Sequence, residues 1–113
     1  MSDQYIDIEQ GLSRVRGNKS LYKRMLSMFI ESKEISEFEK QINNGESEEA
    51  SKTAHAIKGI SGNLALSVLF DLSSDLVEEL RNGVIDEKNI ADYHDALEKT
   101  LIAVNEAITQ LDL

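Results

Sequence analysis

The residues best placed to do chemistry lie in one short run, His55-Ala56-Ile57-Lys58-Gly59, with Gly62 three positions further on. A water-exposed imidazole is largely neutral at neutral pH, and its unprotonated nitrogen is a nucleophile. On a helix, a lysine three residues later lies about one turn away, where its ammonium can sit beside any anion carried on the ring. Phosphoryl groups move through a loose transition state, so their transfer depends mostly on positioning and charge neutralisation. A carrier of such a group therefore needs an accessible nitrogen, a nearby cation and room for a donor. The metal ion and its acidic ligands can belong to the donor.

On a helical wheel with His55 at zero, Ala50, Thr53, Ile57, Ile60 and Leu64 fall within roughly 40° of the opposite pole. Glu48, Ser51, Lys52, Lys58, Gly59 and Gly62 fall within about 60° of the histidine. The pattern predicts a buried stripe on one side and His55 facing water on the other. An exposed glycine inside a helix costs about 1 kcal/mol relative to alanine. Gly59 and Gly62 both stand on the exposed stripe, so each asks for a reason. Clearing an approach to the imidazole for another protein would supply one; for Gly62, fraying at the helix end is an alternative.

Other residues of the same types are weaker candidates. Lys52 is a further phosphate-stabilising candidate beside His55, or simply a solvated lysine. His94 lies among Asp92, Asp95 and Glu98, where solvation or a surface ion pair accounts for it. A di-metal bundle site would need inward Glu-x-x-His pairs, and neither histidine has a glutamate three residues before it. Met25 and Met28 read as core filling, with use at an interface as the lesser alternative. The acidic runs Glu46 to Glu49 and Glu78-Glu79 read as solvated faces and helix-dipole partners.

The elements that would position His55 follow from periodicity and stop signals. A short first helix is predicted over Asp7 to Arg16, ended by Gly17-Asn18. A second runs from an Asn18 cap to about Asn43, with Leu21, Met25, Met28, Phe29, Ile35, Phe38 and Ile42 as its apolar stripe. The third starts near Glu46 and carries His55 to about Leu66. Ser67 is the expected cap of a fourth, closed by Asn82-Gly83, and Asp86 that of a fifth, with a stripe from Ile90 to Leu111. The expected fold is all-α: an antiparallel four-helix bundle with a short additional N-terminal helix, in a single domain over residues 1–113.

Composition narrows the partners. The chain has no proline to interrupt long helices and no cysteine for disulfide or thiolate chemistry. Its 21 acidic and 12 basic residues give a net charge of −9, which opposes binding to nucleic acid. Met1-Ser2-Asp3-Gln4 lacks a signal-peptide pattern, and no stretch has the length of a membrane span. A cytoplasmic location and a monomeric state are the expectation.

The run Ala54-His55-Ala56-Ile57-Lys58-Gly59 resembles the signature of histidine-containing phosphotransfer (HPt) domains, in which an apolar residue two on from the histidine precedes lysine and glycine. The similarity extends to Gly62-Asn63-Leu64, and upstream to Asp7, Leu12, Asn18, Leu21, Tyr22, Leu26 and Phe29. It spans nearly the whole chain up to about Leu80; the last helix follows by pattern only. The resemblance implies that His55 accepts phosphate from the aspartyl phosphate of a receiver domain and returns it to another receiver. It implies that Lys58 steadies the phosphoryl group and that Gly59 keeps the site open. The implied partners are receiver domains of response regulators or hybrid sensor kinases. No cofactor is expected on the chain itself, and Mg²⁺ is expected on the receiver. One departure concerns local packing: the glycine many members carry ten residues after the histidine is Ala65 here.

Two other readings use the same residues. The chain could be the substrate module of a chemotaxis-type kinase acting in trans, since nothing in it resembles an ATP-binding domain. It could also be a helical interaction domain without phosphorylation. A histidine-kinase dimerisation helix fits poorly, because Ala56 stands where an acid typically serves as base and no proline follows.

Overall fold

The computed structural model describes residues 4–113, so Met1, Ser2 and Asp3, on which the signal-peptide reading rests in part, lie outside the described residues. The chain is all-helical. In order the elements are α1 (Ile8–Arg14), α2 (Lys19–Ile30), α3 (Lys33–Asn43), α4 (Ser47–Leu64), α5 (Ser67–Arg81) and α6 (Glu87–Leu111). No strand occurs among the described residues, and no helix among them is long and apolar enough to cross a membrane. Asn18 and Asp86 act as the caps the sequence indicates, and Asp7, expected as the first residue of its helix, is a cap as well. Asp7, Asn18 and Asp86 each accept a backbone N–H three residues on, from Gln10, Leu21 and Asn89, at 3.0–3.1 Å.

The single helix expected from Asn18 to Asn43 is two helices, broken at Glu31 and Ser32. The reason is phase. Tyr22, Leu26 and Phe29 form one buried stripe, yet Phe38 lies nine residues after Phe29, which on an unbroken helix puts it roughly 180° away. Breaking the chain at Ser32, whose backbone is extended (φ −64°, ψ 129°), lets Phe29 and Phe38 both enter the core. The Ser32 hydroxyl donates to the Glu34 carboxylate at 2.8 Å, and that bond holds the Glu34 carboxyl below its ordinary range. The apolar stripe expected for this region also needs correction. Leu21 and Met28 are exposed, Met28 at 64%, so Met28 is not core filling; Met25 is half-buried.

α4 is the central element. It packs along α5 and also against α1, α2 and α3, while α6 covers α2 and α5. The core joins Leu26, Phe38, Ile57, Leu69, Leu76 and Val104, with the Phe38 and Tyr93 rings 4.9 Å apart at 60°. α4 ends at Leu64, two residues short of expectation, and Leu66 replaces Ser67 as the residue preceding α5. Ala65 makes this tight turn in the left-handed region (φ 60°, ψ 41°), and the Leu66 N–H returns to the Ser61 carbonyl at 2.9 Å.

This turn is also where the N-terminal segment attaches. The Asp7 N–H donates to the Ala65 carbonyl at 2.9 Å, and the Tyr22 hydroxyl donates to the Leu64 carbonyl at 2.8 Å. Tyr22 is fully buried, and its ring lies so close to Gly11 of α1 that a Cβ there would overlap it. Burial, with a smaller contribution from the Asp7 carboxylate, pushes the Tyr22 phenol up from about 10 to about 12.

Gly11→Ala should destabilise the chain by about 1–3 kcal/mol through overpacking against Tyr22. Ala65→Gly should leave stability nearly unchanged. Relief of the left-handed conformation, which costs an L-residue about 1–2 kcal/mol, is offset by loss of the buried methyl, about 0.8 kcal/mol, and by about 0.4–1 kcal/mol of added unfolded-state freedom. Urea midpoints check both, and equal midpoints for the two variants would contradict this account of the corner. Because the folded state binds the Tyr22 proton more tightly than the unfolded state, stability should fall as pH rises above about 10. Tyr22→Phe should lessen that fall in urea melts taken across the alkaline range; the remainder comes from the buried Tyr93 phenol, whose pKa burial also raises.

Candidate functional site

His55 occupies the middle of α4 and is exposed. The face opposite it is buried as the wheel indicates: Ala50, Thr53, Ile57 and Leu64 are buried and Ile60 is half-buried. Ser51 departs from the wheel. Placed by it on the histidine side, it is only 7% exposed, because α5 lies against that flank and the Ser51 hydroxyl donates to the Val77 carbonyl at 2.9 Å. A wheel assigns angles within one helix and contains no neighbour.

His55 stands on a ridge between two open grooves. One, of about 590 Å³, lies toward α1 and the start of α5 and is lined by Gln10, Arg14, Lys58, Gly59, Phe70 and Asp71 among others. The second, of about 380 Å³, is lined by Glu48, Ser51, Lys52, Val77 and Arg81. Lys58 and Lys52 thus sit on opposite sides of the imidazole. Lys52 is engaged with Glu49 at 3.3 Å, and Arg81 with Glu78 at the same distance. Both pairs are exposed and contribute little to stability. Among the described residues Lys58 has no carboxylate partner; its ammonium lies 5.8 Å from the centroid of the Phe70 ring.

The two glycines differ. Around Gly59, nothing among the described residues beyond its own turn of helix lies within 4 Å of where a Cβ would stand. At Gly62 a Cβ would meet the Phe70 ring at 3.1 and 3.2 Å. Gly62 is therefore explained by packing of α5 against α4, and α4 continues past it, so fraying does not account for it. Its assignment as a partner-access residue loses its distinct support. Gly59 has no packing reason at all.

Phe70 and Arg14 line the groove beside His55 and were missed by sequence reasoning. Phe70 fills the step beside Gly62 and lies under Lys58; its signal was an aromatic on the helix after the histidine. Arg14 reaches the groove only because α1 packs on α4, a proximity the linear sequence does not carry. His94 belongs elsewhere, paired across α6 and α3 with Glu39. No group of three or more histidine, aspartate or glutamate side chains gathers as a metal site among the described residues. Comparison with protein-family models, with curated proteins and with solved structures returned no match.

The contrast between the glycines can be measured. Gly59→Ala should stabilise the helix by about 0.5–1 kcal/mol, the usual gain at an exposed interior position. Gly62→Ala should gain less or nothing, because the Phe70 ring must shift by a few tenths of an ångström. Chemical denaturation of the two variants compares them; a Gly59→Ala protein no more stable than the parent would mean that something in the fold requires that glycine.

Proposed function

We propose that this chain is a histidine phosphotransfer protein of a two-component phosphorelay, with His55 as phosphoacceptor. The observation that carries the reading is the bare Cα of Gly59 beside an exposed imidazole, where none of the described residues outside its own turn uses the cleared space. A glycine that costs helix stability and serves no packing makes sense if another molecule must approach there. On this reading the helices form an antiparallel bundle whose first member is α2 and α3 in succession, followed by α4, α5 and α6, with α1 over one end.

The chemistry would run as follows. The lone pair of the unprotonated His55 nitrogen attacks phosphorus in the receiver's aspartyl phosphate. The N–P bond forms as the P–O bond breaks, and the electron pair leaves on the aspartyl carboxylate. The proton on the other ring nitrogen takes no part. Transfer onward to a second receiver is the reverse, with a carboxylate oxygen displacing the ring nitrogen. Lys58 balances charge on the phosphoryl oxygens as they cross, while Mg²⁺ and its acidic ligands belong to the receiver. The chain acts as carrier rather than kinase, in the cytoplasm, and its contact with receivers is modest in area because each must leave after transfer.

His55→Gln should abolish acceptance of phosphate from phosphorylated receivers, read by radiolabel transfer across the receivers of the source organism. Gly59→Leu should slow transfer while leaving the helical circular-dichroism signal near normal. Labelling that survives His55→Gln would sink the site assignment. Labelling from ATP with a chemotaxis-type kinase, but from no receiver, would favour the kinase-substrate reading instead.

A further inference from the structure

We propose that Arg14 of α1 is a second phosphoryl-holding residue, forming with Lys58 a two-cation cradle on one side of His55. The proposal deepens the phosphotransfer reading and rests on it. Its basis is an asymmetry between the two grooves. On the Lys52 side, both cations already have carboxylate partners on their own helices, Glu49 and Glu78. On the Arg14 side, neither Arg14 nor Lys58 has a carboxylate partner among the described residues, although Asp71 also lines that groove. In a chain of net charge −9, two uncommitted cations lie in one groove with the nucleophile.

The placement of Arg14 is built into the fold. α1 has only seven residues, yet the Asp7–Ala65 backbone bond and the passage of Tyr22 against Gly11 hold it to the end of α4. Gln10 and Arg14 are four residues apart, so they share one face of α1, and both line the groove. A phosphoryl group carries between one and two negative charges and three acceptor oxygens. Lysine offers a point charge; arginine offers a planar fork of donors that can grip two oxygens at once. Arg14 also lies in the last turn of α1, where a cation offsets the helix dipole. That role alone would affect stability slightly and phosphorylation not at all, which separates the two explanations.

The test loads the imidazole directly with phosphoramidate, in a His94→Gln background so that His55 is the one remaining histidine. Phosphorus passes from the amine nitrogen to the ring nitrogen and ammonia leaves; phosphorus NMR follows the product. Arg14→Gln should slow loading by roughly threefold to tenfold, up to the effect of about 1.4 kcal/mol of lost transition-state stabilisation. Arg14→Lys should recover most of the rate, and the deficit should shrink in high salt, since the site is open to solvent. Arg24→Gln, which removes an exposed charge from α2 outside both grooves, should leave the rate unchanged. Equal loading of the parent and Arg14→Gln proteins would overturn the proposal. So would a deficit seen only as a raised KM for a phosphorylated receiver, which would make Arg14 a partner contact. An Arg14-dependent loading rate without acceptance from any receiver would uphold the cradle and defeat the relay reading, so the two fail separately.

Discussion

The corner where Tyr22 donates to the Leu64 carbonyl is the constraint on which the arrangement around His55 depends. The last carbonyls of a helix have no partner within it, and one buried without a partner costs about 1–3 kcal/mol. Tyr22 satisfies Leu64 from α2, and in doing so its ring occupies the space that a side chain at Gly11 would need. Three helices are thereby tied at one point: α2 supplies the phenol, α4 the carbonyl and α1 the gap. The Asp7 N–H bond to Ala65 adds a second tie within a few residues. A seven-residue helix has little stability of its own, so α1 holds its place because of this corner. The face of α1 that borders the His55 groove is consequently set by contacts that do not involve His55.

The same end of α4 shows how packing and function divide the small residues. Gly11 is small because Tyr22 needs the room, and Gly62 because Phe70 does. Ala65 shows the opposite tension: it adopts a backbone conformation that glycine would hold at lower cost, and its methyl group is buried. Gly59 alone among the described glycines has neither a neighbour nor a positive φ to explain it. Of the two glycines on the predicted exposed stripe, the one nearer His55 is the one that packing does not explain.

Much of this was legible in the sequence, and the failures have specific causes. The wheel for α4 placed Ala50, Thr53, Ile57 and Leu64 correctly because those positions depend only on helical period. It misplaced Ser51 because burial there depends on α5. The break at Ser32 was readable in principle, since Phe29 and Phe38 are half a turn out of phase on one helix. Continuous apolar spacing hid it, because each local pair fits a helical stripe even when the whole does not. Met28 was assigned to the core by the same spacing and lies in solvent. Arg14 and Phe70 could not be placed near His55 without knowing which helices touch. Site residues on a single helix were therefore readable, and those contributed by neighbouring helices were not.

Charge gives the proposed site its selectivity. The −9 net charge repels an approaching phosphate near the surface, and over longer range only at low salt. Lys58 and Arg14 act over distances comparable to the screening length, about 8 Å at physiological salt. A free anion meets the repulsion of the whole chain before it meets the cations. A donor docked against the face around Gly59 passes that barrier using contact energy from the rest of its surface, and presents its phosphoryl group where the local cations dominate. If the proposed reading holds, an acidic chain with two uncommitted cations beside His55 would take phosphate more readily from a docked protein than from free solution.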